Sequence, residues 1–444
     1  MRGAGDAMTE PTRPDTVAES AGAEDADARA DRPSRWLVDD WLHRLVERAP
    51  VTPVVELPIT EAFGHVLAED VTSGHPLPLW SNSAMDGYAL RAADAEHGFE
   101  RTLRIIGEVA AGSSDDPALG AGEAVRIMTG APVPSDADAV VPVEQTNGDD
   151  RGVGEWGERT VRILAPVDAG ANVRARGEDV GQGATIAQRG WRLTAAGVSA
   201  LAAAGTAAVR VHRQPRVAVV ATGSELLPPG ATLARGQIPE SNSLLMAGML
   251  REAGIEPVEV RHSRDDVIGL TRMLARLGEM CDAVITTGGV GPGTHDIVRI
   301  ALEPEPGVIG VRVAMKPGQH QRAGVLAGGA CVFALPGNPV SAAVSFELFV
   351  RPTLLAMQGA ARIQRHRVHA RAAVGWRGSA GRLQVLPVIL RDTEDGLACE
   401  PAVHARRVSH SVGGYGASDA YAIVGEERGD VEAGETVTVI QVGA

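Results

Sequence analysis

Lysine is almost absent from this chain: of 42 basic residues, 41 are arginine and one, Lys316, is lysine. Aromatic residues make up only 3% of the 444 positions, so buried cores must be built from Ala, Val, Leu and Ile. The three cysteines, Cys281, Cys331 and Cys399, are an odd number without CxxC spacing, which argues against a disulfide framework or a structural zinc. No apolar run approaches the ~20 residues that cross a bilayer. The N-terminus carries Asp6, Glu10 and Asp15 without an apolar stretch, unlike a signal peptide. The expectation is a soluble protein of a reducing compartment, the cytoplasm, with no membrane partner.

Familiar catalytic signatures are missing too. A phosphate-binding P-loop needs Gly-Lys-Ser/Thr, but Lys316 is followed by Pro317. The GGVGPG loop has its glycines at the wrong spacing for GxGxxG, and HExxH and GxSxG do not occur, which removes support for zincin and α/β-hydrolase readings. Positive charge is also in deficit. The net charge is −14, and residues 1–34, with eight acids and four arginines, account for only −4 of it. An acidic body of this kind does not suit nucleic acid or anionic membranes. An anionic ligand would need local cations, helix N-termini or a metal.

What is present divides the chain into four stretches. Residues 1–34 are rich in Ala, Asp, Glu and Gly and read as a disordered tail. Residues 35–212 begin with a helical pattern, Trp36, Leu37, Trp41, Leu42, Leu45 and Val46, for which Ser34 is the expected N-cap. Short β-like runs between Gly, Pro and Asp turns then make a β-rich region of two sub-domains. Residues 213–360 alternate apolar β runs with helical segments, the pattern of a doubly wound, mainly parallel α/β domain buried on both faces. Residues 361–444 read as a small C-terminal β domain.

In such a sheet, ligands bind beyond the carboxyl ends of the strands. Three loops should leave those ends: Thr222–Leu226 (TGSEL), Thr287–Asp296 (TGGVGPGTHD) and Pro336–Val340 (PGNPV). Glycines 288, 289 and 293 let backbone N–H groups approach an anion, or simply make a turn. Pro336, Gly337, Asn338 and Pro339 set a tight turn at a helix start, either an anion site or a structural turn. Carboxylates gather on loops: Asp179, Glu225, Asp265, Asp266 and Asp296. Each can be a helix cap or solvated turn acid, and Asp265 reads as the N-cap of the helix after it. A hard cation such as Mg²⁺, which takes one or two carboxylates plus substrate phosphates, would bring them together. Lys316 stands out by composition: a neutral position would hold the one lysine about once in 42. Its compact ammonium does what a planar guanidinium does not.

Long motifs then point to a family. Ser81–Ala89 (SNSAMDGYA) and Arg126–Pro134 (RIMTGAPVP) resemble the molybdopterin molybdenumtransferases, the MoeA-like and gephyrin E-domain proteins. RGED at 176–179, TGSEL, the GGV loop, Lys316-Pro317-Gly318 and LPGNPVSA continue the match in order, over about residues 35–444. The resemblance implies an elongated homodimer that converts adenylylated molybdopterin and molybdate into molybdenum cofactor and AMP with a divalent cation, Mg²⁺. It implies functional roles for Thr129, Asp179, Glu225, Asp265, Asp296 and Lys316, with Glu225, Asp265 and Asp296 as metal ligands and Pro336 and Pro339 shaping a turn. Its implied partners are the molybdopterin adenylyltransferase and recipient molybdoenzymes. Departures from the family pattern are Ser81 and Ser224 where it has Asp, Arg312 where it has Lys, and Gln319 and His320 where it has Lys and Pro. After the GGV loop, GPGTHD keeps only Gly293 and Asp296 of the usual SxGxxD. A divergent paralogue that binds molybdopterin or a partner as carrier or scaffold is the competing reading.

Overall fold

The computed structural model describes residues 35–95, 101–147, 159–291, 293 and 296–442. The expected tail over 1–34 and the expected cap at Ser34 lie outside them. The chain forms two compact units. One comprises the described residues up to Ala49, Arg216–Thr353 and those from Gln364 onward; the other comprises Pro50–Pro215 and Leu354–Ile363.

The α/β and C-terminal stretches expected at 213–360 and 361–444 group in one unit, and two segments group apart from the stretches the sequence placed them in. The opening helix, Val38–Arg48, belongs with the α/β domain rather than with the β-rich region. Its approach is fixed by backbone pairing: Trp36 N–H donates to Arg312 O at 3.0 Å, and Ala314 N–H donates to Trp36 O at 2.8 Å. Trp41, Leu42 and Leu45 are then buried, and Trp36 meets Trp41 edge-on at 5.6 Å. The second departure is Leu354–Ile363, which joins the β-rich unit; Thr52 N–H donates to Met357 O at 2.7 Å within that unit.

The α/β domain has strands β1 (Val217–Thr222), β2 (Glu259–Ser263), β3 (Ala283–Thr287), β4 (Val308–Arg312), β5 (His320–Val325) and β6 (Cys331–Leu335). Its helices are α1 (Asn242–Glu252), α2 (Val267–Met280), α3 (Ile297–Leu302) and α4 (Pro339–Ser345). The strand order is β2-β1-β3-β6-β5-β4. The first four run parallel, and β5 is antiparallel to both β6 and β4. Strands β1, β3 and β6 are buried at every position, as helices on both faces require. On one face Leu270, Leu274 and Leu277 of α2 and Val298 and Leu302 of α3 pack with Val220, Val284 and Val332. After α4 the helix continues as a π-turn over Phe346–Val350 and an α-turn over Arg351–Met357. The stretch Pro339–Met357 is long and apolar enough to cross a membrane, but 83% of its apolar window is buried inside the protein.

The C-terminal strands Arg367–Ala372, Leu383–Thr393, Gly396–Pro401, Ala420–Val424 and Thr436–Gln441 close on themselves. Leu383–Thr393 pairs with both Gly396–Pro401 and Ala420–Val424, so the ring of five has no open edge. A two-residue strand, Met315–Lys316, adds to it in parallel, with Lys316 opposite Gln384.

In the other unit a five-stranded sheet holds two small cores. Tyr88, Leu90, Leu103, Ile105, Val141 and Val161 fill one face; Ala89, Val109, Val125, Ile127 and Val140 fill the other. A three-stranded sheet over 54–58, 208–212 and 66–67 packs Leu67, Val209 and Val211 against Leu201 of the helix Ala195–Ala203. Thr194 caps that helix, accepting from Gly197 N–H at 3.1 Å.

Candidate active site

Strand order changes direction between β1 and β3, since β2 lies on one side and the later strands on the other. The loops leaving β1 and β3 therefore diverge, which opens a crevice at their carboxyl ends. Direct bonds lock the three Gly- and Pro-rich loops there. Thr222 Oγ1 donates to Thr287 O at 3.0 Å. Gly288 N–H donates to Leu335 O at 3.0 Å, and Asn242 Nδ2 of α1 donates to Gly337 O at 2.7 Å. Gly288 has φ +96°, and a Cβ there would stand 2.8 Å from both Thr222 O and Thr222 Oγ1. Only glycine permits this approach. Gly289 leads into α3, its carbonyl accepting from Arg299 N–H at 2.9 Å. Gly337 and Asn338 are exposed just before Pro339, the first residue of α4, and the Asn338 side chain makes no cap bond. The opening of α4 thus presents free N–H groups at the crevice.

Lys316 is half-buried, and its ammonium donates to Ser379 Oγ at 3.1 Å. The turn after it is held from below: Gln321 Nε2 donates to Gly318 O at 2.6 Å and to Ser345 Oγ at 2.7 Å, a buried contact with α4. The ammonium is thereby placed against a neutral hydroxyl.

The carboxylates are spread along the crevice. Glu225 is exposed and folds toward Gly223, whose carbonyl meets His262 Nε2 at 2.7 Å. Asp265 Oδ2 accepts from Ser224 N–H at 3.0 Å. Asp265 is not the helix cap expected from the sequence: Asp266 occupies the N-cap position of α2, and the Asp265 carboxylate turns to the TGSEL loop instead. Asp296 begins α3 and accepts from Gly293 N–H at 2.7 Å. Among the described residues no three His, Cys, Asp or Glu side chains converge to hold a metal ion. Among those residues no all-protein metal cage is built. The donor set fits Mg²⁺ only in its usual mode, one or two carboxylates completed by ligand phosphates.

Thr129, Asp179 and Ser81 lie in the other unit. The short strand Asn82–Ser83 pairs with Val173–Arg174, and Gly130 N–H donates to Ser83 O at 2.8 Å, so the three motif loops meet around two residues. Ser81 Oγ accepts from Arg176 N–H at 3.2 Å. Asp179 is exposed, and its backbone N–H donates to Leu77 O at 3.1 Å. The sequence reading overlooked Asp86. Its Oδ1 accepts from both the N–H and the hydroxyl of Thr129, each at 2.7 Å. Those two bonds, with a smaller contribution from Arg126, hold its carboxyl below the usual carboxylate range. Its place inside SNSAMDGYA was the available signal.

Comparison with known proteins gives this arrangement a context. Family models match in three stretches: the MoeA N-terminal region (domain I and II) over 37–205, the probable molybdopterin binding domain over 218–356, and the MoeA C-terminal region (domain IV) over 369–442. A relative from Mycobacterium tuberculosis (strain CDC 1551 / Oshkosh), molybdopterin molybdenumtransferase 2, is 41% identical over 314 residues, 69% of this chain and 75% of its own length. The molybdopterin molybdenumtransferase of Staphylococcus aureus (strain MRSA252) is 35% identical over 327 residues, 73% of this chain and 76% of its own. The molybdopterin biosynthesis MoeA protein of Pyrococcus horikoshii OT3 superposes with a TM-score of 0.76 at 27% identity, over 92% of this chain and 100% of that one. The chain belongs to the molybdopterin molybdenumtransferase family, transferases of molybdenum cofactor biosynthesis.

Proposed function

We propose that the protein inserts molybdate into adenylylated molybdopterin, giving molybdenum cofactor and AMP, and that it works as a cytoplasmic homodimer. The observation that carries this reading is the crevice at the β1/β3 switch point, where the Gly- and Pro-rich loops are tied together at the carboxyl ends of the strands. A substrate with a phosphate anhydride suits it. The N–H of Gly289 and the first N–H groups of α4 after Pro339 receive phosphate oxygens, and Lys316 adds a point charge. These donors stabilise charge developing on the departing adenylate more than charge on the bound substrate, which is what lowers the barrier.

Glu225, Asp265 and Asp296 are the residues to hold Mg²⁺ with the substrate's own oxygens. When bound, the ion polarises the phosphate anhydride as a Lewis acid. Asp265 and Asp296 are pinned by backbone donors at 3.0 and 2.7 Å, so each offers its remaining lone pairs from a fixed position. Thr129, Asp179 and Ser81 form the second group of ligand-contacting residues, with Asp86 orienting the Thr129 hydroxyl. The molybdopterin adenylyltransferase and the recipient molybdoenzymes are the protein partners of this scheme.

The test is AMP release by the full chain with adenylylated molybdopterin, molybdate and Mg²⁺. Turnover that needs all three supports the reading. Tight molybdopterin binding without AMP release would instead favour a carrier, a reading that Ser81 and Gln319 in place of Asp and Lys would explain. Light scattering that finds a stable monomer at micromolar concentration would remove the dimer.

A further inference from the structure

Strand β5 buries a glutamine where a strand inside a sheet ordinarily buries an apolar side chain. Gln321 and Ala323 are its two buried positions, two residues apart and so on one face. A buried amide is costly unless its hydrogens are bonded. Both hydrogens on Nε2 of Gln321 are: one goes to Gly318 O at 2.6 Å, the other to Ser345 Oγ at 2.7 Å. Ser345 in turn gives its own hydrogen to Ser341 O at 2.7 Å. Gln321, Ser345 and Ser341 are all buried. They form a line of hydrogen bonds running in one direction, from β5 into the first turn of α4.

The turn Lys316-Pro317-Gly318 rests directly on that line. Gly318 has φ +88°, and a Cβ there would stand 3.0 Å from Ser345 Oγ and 3.3 Å from Ser341 O. The other end of the turn is fixed elsewhere: Met315–Lys316 pairs with Leu383–Gln384 of the C-terminal ring. Val313 N–H donates to Gln319 O at 2.7 Å across the base of the loop. A two-residue strand that ends in a turn is a hinge unless the turn is itself tied. Gln321 ties it, to the helix whose first residue, Pro339, opens at the crevice. Gln319 is neutral, so Lys316 is the one cation of this turn and the one whose placement matters.

We propose that Gln321 is the positioning residue of Lys316: through Gly318 and Ser345 it sets where the ammonium stands relative to loop 336–340 at the start of α4. The inference rests on the reading above that Lys316 meets the substrate. Gln321, buried beneath the turn, touches no ligand and acts only through the lysine. A misplaced charge still attracts an anionic substrate but no longer matches the geometry in which charge develops. Loss of Gln321 should therefore lower kcat more than it raises KM.

Because Lys316 is the only lysine, the full chain labelled with ¹³C-lysine carries a single side-chain Cε signal, a probe that needs no turnover. Gln321→Leu deletes the amide and keeps an unpolar side chain in its place. In the folded variant that signal should move toward the position of free lysine. The kcat for AMP release should fall about tenfold while KM changes less than about threefold. In a Lys316→Ala background the same substitution should cost no more than about twofold, because the residue it acts through is gone. An equal loss in both backgrounds makes Gln321 a structural residue only and overturns the proposal, as does an unmoved Lys316 signal. Wild-type turnover by Lys316→Ala overturns it too, since the lysine would then not meet the substrate. Wild type without AMP release sinks the insertase instead. A Lys316 signal that still moves in Gln321→Leu then keeps Gln321 as the residue that places the ammonium, and one that stays overturns it. If Gln321→Leu fails to fold, Ser345→Ala replaces it by deleting one of the two bonds, and no movement of the signal counts against the proposal.

Discussion

Ser224 and Asp265 hold each other by a reciprocal pair of hydrogen bonds: Ser224 N–H donates to Asp265 Oδ2 at 3.0 Å, and Asp265 N–H donates to Ser224 Oγ at 2.9 Å. The serine that replaces the family's aspartate thus ties the loop after β1 to the loop after β2. Ser224→Ala removes one of the two bonds and should cost about 1 kcal/mol, with AMP release falling as Asp265 loosens. Ser224→Asp instead sets a second carboxylate beside Asp265, an arrangement that needs a cation. Its melting temperature should drop in EDTA and recover in Mg²⁺. Identical melting in both would remove Asp265 from the metal-holding residues.

Thr129 donates twice to Asp86, and those bonds hold the Asp86 carboxyl below its usual range. Thr129→Val keeps the backbone donor and deletes the hydroxyl. Carboxyl NMR titration of that variant should place Asp86 higher than in wild type. An unmoved titration would mean that the hydroxyl does not orient on Asp86 in solution.

His320 sets a pH dependence of stability. Burial first, and then the charge of Arg312, hold its imidazole below the ordinary value, while Asp296 acts in the opposite direction. The unfolded chain therefore takes up this proton near pH ~6.5, before the folded chain does. Stability contributed by neutral His320 is present above that pH and is lost as pH falls from there toward the folded value. Denaturant titrations of wild type and His320→Gln at pH 7.5, 6.5 and 5.5 should show a flatter acid limb for the variant. Parallel limbs would show that His320 titrates alike in both states.

Lys316 should resist its most conservative replacement. The ammonium reaches Ser379 along a flexible stem, whereas a planar guanidinium cannot place a point charge there. Lys316→Arg should weaken adenylylated molybdopterin binding severalfold while shifting stability by no more than ~0.5 kcal/mol. Unchanged affinity in a fluorescence titration would return Lys316 to the ordinary surface cations.

The crevice was legible because its loops are written in residues that only turns use. TGSEL, TGGVG and PGNPV each follow a run of Val, Ile, Ala or Leu, so strand, turn and helix could be read locally. Strand β5 carries no strand signal of its own, since HQRAGV has neither bulk nor apolar alternation; its neighbours β4 and β6 hold it in the sheet. The π-turn at Phe346–Val350 has no sequence signature. The exchange of Asp265 for Asp266 at the cap is a one-residue matter decided by the Ser224 contact 41 positions away. Pairing of this kind, like that of Trp36 with Arg312 and Ala314, depends on distant residues and leaves no trace in local periodicity.

The closed C-terminal ring has a reach beyond its own stability. Met315–Lys316 is stitched onto Leu383–Gln384, and Ser379 takes the ammonium. The aim of the chain's single lysine is thus inherited from a module whose Ser379 stands 63 residues later. Exchanging that module between relatives, with every crevice loop left as it is, would transplant a different set-point for ligand charge. Drift in sequence at the far end of the gene can therefore retune the crevice without touching a residue that lines it.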